Sequence, residues 1–312
     1  MKCYQVSKEG GQFELVDRPI PKPNSDQILI KLISCGICKG DTSIKDSIFP
    51  GVKYPLVLGH EIIGEIVELG SNIKNLKKND IVGLGIPAGY MFDGGFSQYM
   101  AAKENDLVKI PKGLSPVESA PLLCAGVTTY SALKNCGAKS GELVAICGIG
   151  GLGHLALQYA NKMGFKTVAI SRNEDKKELS MKLGAKYYFS TEKGDFSKEI
   201  KDLGGAKAVI LTGPSENIGD KLIDCIQEGG KLMLVGTNNK KMDFSINSII
   251  FGKKIIQGWI CFDNEVKKEC LEFSLKNEIK PMTEIYKFED FQKGYDNMSS
   301  GKARFRSVIK FN

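Results

Sequence analysis

Up to about residue 120 the apolar positions come in short runs. Gln27-Ile28-Leu29-Ile30-Lys31-Leu32-Ile33 and Glu65-Ile66-Val67-Glu68-Leu69 are examples, and glycine, proline or asparagine breaks each run. Short alternating or apolar runs between such breakers predict a β-rich region. The texture then changes. Residues 115–135 read as helical. Leu143-Val144-Ala145-Ile146-Cys147 is an uninterrupted buried-strand run, a glycine loop follows, and residues 155–163 carry a helical pattern. Thr167-Val168-Ala169-Ile170, Lys207-Ala208-Val209-Ile210-Leu211 and Lys231-Leu232-Met233-Leu234-Val235 continue a strand–helix alternation, which predicts a doubly wound parallel sheet. Beyond residue 254 the pattern gives a further strand over 254–260, a helix over 266–275 and a terminal strand over 306–311. No internal repeat and no low-complexity linker appears.

With 312 residues the chain is long enough for two domains. Its hydrophobic and charged shares, 42% and 25%, are those of a globular protein. No apolar run approaches the roughly 18 residues a membrane span needs, and Met1-Lys2-Cys3-Tyr4 leads into polar sequence rather than a signal-peptide core, so a cytoplasmic location is expected. The net charge of +7 comes from dispersed lysines without interleaved aromatics; this reads as solvated surface rather than a nucleic-acid face. Nine irregularly spaced cysteines in a chain without an export signal argue for reduced thiols and metal ligation.

The candidate chemistry is concentrated in a few segments. Cys38, His60 and Cys124 offer two thiolates and an imidazole, a ligand set used by catalytic zinc with a fourth position for water or substrate. Gly148-Ile149-Gly150-Gly151-Leu152-Gly153 lies between a strand and a helix, the context a dinucleotide fingerprint requires. There Gly148 allows the tight turn, Gly150 the approach of a pyrophosphate, and Gly153 close helix–strand packing. An NAD enzyme carries an acid at the end of the next strand. Here Ser171-Arg172 stands at that place and the first acid is Glu174. A serine and an arginine suit a 2′-phosphate, with Lys176 or Lys177 assisting, so NADP is preferred to NAD.

In order along the chain, Cys35-Gly36-Ile37-Cys38, Gly59-His60-Glu61, Asp93-Gly94-Gly95, Cys124-Ala125-Gly126 and the glycine loop resemble the landmarks of the zinc-dependent medium-chain alcohol dehydrogenases, over essentially the full length. The resemblance implies an α/β fold: a GroES-like β-rich catalytic domain over 1–122 and 262–312, and a Rossmann doubly wound parallel-sheet nucleotide-binding domain over 123–261. It implies Cys38, His60 and Cys124 as ligands of one catalytic zinc, Glu61 as a supporting or exchangeable fourth ligand, and Asp41 as the carboxylate orienting His60. Lys39 matches a position used for cofactor-phosphate or relay contacts, an exposed lysine being the alternative. Thr128 is implied beside the nicotinamide, Arg306 near the pyrophosphate, and Gly236 and Thr237 at the cofactor edge. Cys35 reads as packing, and His154 as a helix-surface or capping residue.

Two departures from the family stand out. The lobe carrying a structural zinc is missing: Gly85-Ile86-Pro87-Ala88-Gly89-Tyr90 runs on toward Asp93 with no cysteine between, so one zinc per chain is expected. Gly40 stands where the family has a relay hydroxyl, so a relay must use water, Thr42, Ser43 or a cofactor hydroxyl. The implied activity is hydride transfer between NADP(H) and a small alcohol or aldehyde. Phe49, Phe92 and Trp259 suit an apolar substrate pocket or simple core packing. A zinc-free quinone or enone reductase and a non-catalytic dinucleotide sensor are the rival readings. The strand over 254–260 is expected at a sheet edge, pairing two copies in a homodimer or homotetramer.

Overall fold

Strands form where β-branched and apolar residues run unbroken or alternate, because such residues pack on a pleated surface buried on one or both faces. The computed structural model describes residues 1–213, 217–237 and 241–311. Two compact units result, Met1–Val127 with Phe262–Asn312, and Thr128–Cys261. The boundary falls inside the helix Ala125–Asn135, so Cys124 belongs with the first unit rather than opening the second. Among the described residues no helix is long and apolar enough to cross a membrane.

The first unit is GroES-like and β-rich. Its main sheet runs Thr283–Lys287, Arg306–Lys310, Gln27–Ile37, Glu61–Leu69, Ile81–Leu84, Val108–Lys109, with Tyr99–Lys103 also paired to Gln27–Ile37. Register decides what this sheet presents at one end. Gly36 lies opposite Glu61, and Ser307 opposite Ile37. Cys38 leaves one strand at that end, His60 enters the antiparallel neighbour there, and Arg306 begins the strand on the other side.

The segment from Phe262 onward is held to this unit by aromatic packing. Phe291, fully buried, stacks on Tyr4 at a centroid separation of 4.2 Å and meets Phe96 and Phe13 edge-on at 4.8 and 4.9 Å. Offset-stacked and edge-to-face pairs at such separations add to the gain from burial. The expected helix and terminal strand of this segment are Asn264–Lys276 and Arg306–Lys310. The strand Thr283–Lys287 and the helix Phe291–Ser299 lie between them and were not expected.

The second unit is a six-stranded parallel sheet in the order Tyr187–Ser190, Lys166–Ser171, Leu143–Cys147, Ala206–Leu211, Ile226–Leu234, Ile255–Gly258. Numbered along the chain this is the order 3-2-1-4-5-6 of a Rossmann fold, whose direction reverses beside Leu143–Cys147. That strand is buried along its whole length, as parallel strands covered on both faces are. The loops beginning at Gly148 and Thr212 follow the two strands flanking the reversal. Ile255–Gly258 is the edge strand.

Replacing Phe291 by alanine is expected to cost about 3–5 kcal/mol of stability, read by urea unfolding; a change below about 1 kcal/mol would mean that the ring contacts do not hold the returning segment.

Candidate metal centre and dinucleotide loop

The metal centre is built around one buried carboxylate. Cys38 caps the helix Lys39–Lys45: its sulfur accepts the Gly40 N–H at 3.4 Å, and its own N–H donates to Asp41 Oδ2 at 2.8 Å, a reciprocal capping box. Asp41 is fully buried. Its other oxygen accepts the Gly59 N–H at 3.2 Å and lies 2.8 Å from His60 Nδ1. A carboxylate only accepts here, so Nδ1 carries the proton and Nε2 is turned to the metal side. The resemblance implied this role for Asp41, and the contacts are in place.

His60 is set from the other side by a clasp of glycines. Gly95 N–H donates to Gly59 O at 2.9 Å and Gly94 N–H to Val57 O at 2.7 Å, while Asp93 Oδ1 accepts the Val57 N–H at 2.9 Å. A Cβ at Gly94 would lie 2.2 Å from Gly59 O, so only glycine permits this approach. Cys124 closes the site from the end of the short 3-10 turn Ala120–Leu123.

Ligand atoms of Cys38, His60, Glu61 and Cys124 all lie within 4.8 Å of one another. Zinc–sulfur and zinc–nitrogen bonds of about 2.3 and 2.0 Å place tetrahedral ligands roughly 3.3–3.8 Å apart, so this set has the span and the donors zinc uses. Glu61 Oε2 is buried with no hydrogen-bond partner. An orphaned buried carboxylate oxygen is costly unless a cation completes it. The thiol of Cys124 donates to Cys38, which together with the nearby Arg306 charge and the His60 contact holds Cys38 well below the usual thiol range despite its burial. Burial works against protonation of His60, but the charge and hydrogen bond of Asp41 and the contact with Cys38 outweigh it and raise its pKa to about 10. The cluster is thus poised to exchange protons for a dication.

Arg306, expected near the pyrophosphate, is paired with one of the candidate ligands. Its Nη2 donates to Glu61 Oε1, and both side chains are buried in the first unit, where the sheet register brings Arg306 beside the metal ligands. A charged residue opening an otherwise buried strand was the sequence signal for such a partner. Lys39 is exposed. A Cβ at Gly40 would lie 3.1 Å from His60 Cε1 and 3.6 Å from Cys38 Sγ, so position 40 borders the ligands as bare backbone. Neither neighbouring hydroxyl points to a relay: Thr42 Oγ1 is paired with Tyr295 OH at 3.0 Å, and Ser43 Oγ donates to Lys39 O. Cys35 is fully buried, its sulfur wedged where Cβ atoms of Gly59 and Gly95 would fall at 2.9 and 2.7 Å. Phe92 packs on the core, and Phe49 lies 5.8 Å from Tyr90.

In the second unit Gly148 takes φ +93°, and a Cβ at Gly153 would strike Gly148 O at 2.0 Å, so both glycines are required by the turn itself. A Cβ at Gly150 meets nothing within 4 Å. Ser171 ends its strand buried, Arg172 follows exposed, and Glu174 is paired with Lys177 at 3.1 Å. Lys176 Nζ donates to Ile149 O at 2.6 Å. Gly236 packs on the backbone of Thr212, where a Cβ would lie 2.5 Å from the Thr212 carbonyl. Thr237 is exposed and Thr128 half-buried on the helix Ala125–Asn135. Trp259 Nε1 donates to Ser131 Oγ at 2.9 Å, which ties its ring to that helix. His154 is not on a helix surface: it is buried, with Nδ1 3.0 Å from Gly150 O.

Residues 24–112 match the alcohol dehydrogenase GroES-like domain, and residues 151–276 the family described as zinc-binding dehydrogenase. Two alcohol dehydrogenases of Geobacillus stearothermophilus are 33% and 36% identical over 99% of both chains. The chain belongs to the zinc-type medium-chain dehydrogenase family. Within that family it is an alcohol dehydrogenase-type oxidoreductase. The crystal structure of CAD from Helicobacter pylori complexed with NADP(H) is 26% identical, with a TM-score of 0.86 over 99% of this chain and 97% of that one. A cinnamyl alcohol dehydrogenase from Sorghum bicolor, 22% identical over 99% of this chain and 97% of that one, superposes with a TM-score of 0.89 and shares the fold.

Asp41→Asn keeps the shape of the side chain but removes its charge. The expected result is zinc affinity lowered by about 10- to 100-fold, measured by chelator competition; unchanged affinity would mean that the carboxylate does not orient His60.

Proposed function

We propose that this protein is a zinc-dependent NADP(H) alcohol dehydrogenase or aldehyde reductase acting on small alcohols and aldehydes. The four-ligand cluster braced by a buried carboxylate carries the reading. Cys38, His60 and Cys124 would hold one zinc, with Glu61 as the supporting or exchangeable fourth group. When bound, the ion supplies a Lewis acid that makes an alcohol more acidic and a carbonyl more electrophilic. Asp41 fixes the imidazole tautomer, and Arg306 holds one oxygen of Glu61 in an ion pair beside the ligands. The proton of an alcohol would leave by water or a cofactor hydroxyl at the bare flank of Gly40, because Thr42 and Ser43 are paired with Tyr295 and the Lys39 carbonyl.

The preference for NADP rests on the end of the strand Lys166–Ser171. An exposed Arg172 with no acidic partner among the described residues follows Ser171, and the nearest acid, Glu174, is turned to Lys177. A guanidinium there suits a 2′-phosphate and gives an unmodified ribose no counterpart. Gly150 supports the placing of the pyrophosphate. Among the described residues nothing lies within 4 Å of where a Cβ there would fall, which leaves room for a pyrophosphate beside the backbone. Gly151, Leu152, Gly236, Thr237 and Thr128 line the remainder of the assigned cofactor path. The site requires neither nucleic acid nor membrane, and the cytoplasm is the assigned location.

The partner assigned to the edge strand Ile255–Gly258 is a second copy of the chain, as a dimer or a tetramer. Ile246, Ile250 and Phe251, which precede it in the chain, are 70%, 61% and 81% exposed, and exposed apolar side chains together with an edge strand invite pairing.

Steady-state rates on an aldehyde panel are expected to favour NADPH over NADH. Arg172→Ala should lower kcat/KM for NADPH by about 10- to 100-fold while leaving NADH unchanged. Equal losses with both cofactors would contradict the 2′-phosphate assignment. Light scattering after size exclusion should give a dimer or tetramer, reduced to a monomer by Phe251→Glu; a native monomer would remove the second copy from the account.

A further inference from the structure

The carbonyls of Gly148, Ile149 and Gly150 are each taken by a side chain. Thr212 Oγ1 donates to Gly148 O at 2.5 Å, Lys176 Nζ to Ile149 O at 2.6 Å, and His154 Nδ1 reaches Gly150 O at 3.0 Å. Thr212 comes from the loop after Ala206–Leu211, Lys176 from the turn leading into the helix Lys177–Lys182, and His154 from the first turn of Gly153–Lys162. Three separate elements therefore grip one short loop. A carbonyl can only accept, so Nδ1 of His154 carries the hydrogen. Burial presses His154 down to about 4, against the pull of the Gly150 and Gly151 backbone, so the donor is a neutral ring at any ordinary pH.

In a trans peptide the C=O of one residue and the N–H of the next lie on opposite sides of a rigid plane. Fixing the carbonyls of residues 148, 149 and 150 therefore turns the N–H groups of Ile149, Gly150 and Gly151 the other way. Among the described residues those three amides, with that of Leu152, donate to no protein acceptor. Beside them, a Cβ on Gly150 would meet nothing within 4 Å among the described residues, so the loop has room there for an anion. A glycine loop left to itself samples many peptide orientations, because glycine restricts neither φ nor ψ. Here the orientation is set before an anion arrives.

We propose that His154 and Lys176 are positioning residues of the phosphate loop. By donating to the carbonyls of Gly150 and Ile149, they hold successive peptide planes with their N–H groups facing the pyrophosphate of the dinucleotide. The inference rests on the dinucleotide reading of the loop and assigns Lys176 a task independent of the 2′-phosphate. The pyrophosphate is common to NADPH and NADH, so the two residues serve both cofactors alike.

The test is calorimetric titration of NADPH and of NADH into native protein and four variants, with steady-state rates on the same preparations. Lys176→Met and His154→Leu are expected to weaken both nucleotides by a similar factor, about tenfold each, the size of one lost hydrogen bond. Lys176→Arg and His154→Asn, which keep a donor within reach of the same carbonyls, should restore most of that loss. In the steady-state rates the loss should fall on the KM for nucleotide more than on kcat, the split expected of residues that position the loop rather than the reacting atoms. If His154→Leu does not fold, His154→Gln retains polarity but displaces the donor from the Nδ1 position, and should weaken both nucleotides in its place. A loss confined to NADPH in Lys176→Met would make Lys176 a 2′-phosphate contact and overturn the proposal for it. Unchanged binding of both nucleotides in the His154 variants would overturn it for His154. Failure of the native protein to bind either nucleotide would instead overturn the dinucleotide reading beneath it.

Discussion

The metal centre depends on the buried carboxylate of Asp41. An ionised group without exposure is tolerable only when hydrogen bonds replace its water, and Asp41 receives the N–H groups of Cys38 and Gly59 and faces Nδ1 of His60. Those same bonds fix the backbone at one ligand and the ring of another. Cys38 is at once proposed metal ligand and helix cap, so the first turn of Lys39–Lys45 and the geometry of the sulfur are one structure. The hydrogen bonds that keep the buried carboxylate satisfied are thus the same ones that aim the candidate ligands.

The two functional elements use the same physical strategy on different chemistry. In the first unit, sheet register brings Cys38, His60, Glu61 and Arg306 to one end of the sheet, and buried hydrogen bonds lock their orientation. In the second, strand order opens a switch point, and side chains lock the peptide planes of the loop that occupies it. Each unit spends buried polar groups on preorganisation, the condition for electrostatic stabilisation to cost little when substrate and cofactor arrive.

The sequence was legible where a single physical cause dominated. Leu143–Cys147 was read to the residue because a strand covered on both faces has no polar position to blur it. Glu61–Leu69 was read only from Glu65, because the glycine and charges at its start resemble a loop. Thr283–Lys287 has no burial pattern to betray it, and Phe291–Ser299 contains Gly294, which belongs there because a Cβ would press on the Tyr286 ring at 3.1 Å. Cys38, His60, Glu61 and Cys124 were legible as a set from residue type and order along the chain. The pairing of Arg306 with Glu61 and the burial of His154 were not legible. Glu61 meets Arg306 across the intervening strand Gln27–Ile37, 245 residues away in the chain, so the charge at position 306 signals a partner without naming it, whereas His154 finds its carbonyl only four residues back and was missed because a helix start reads as surface.

The most direct measurement is the metal content of the purified chain alongside its NADPH-dependent aldehyde reduction, before and after chelation. The account predicts one zinc per chain, activity lost with the metal and regained when zinc alone is returned. Full activity in a preparation free of metal would contradict it, and would leave the Asp41-braced cluster without the role assigned to it here.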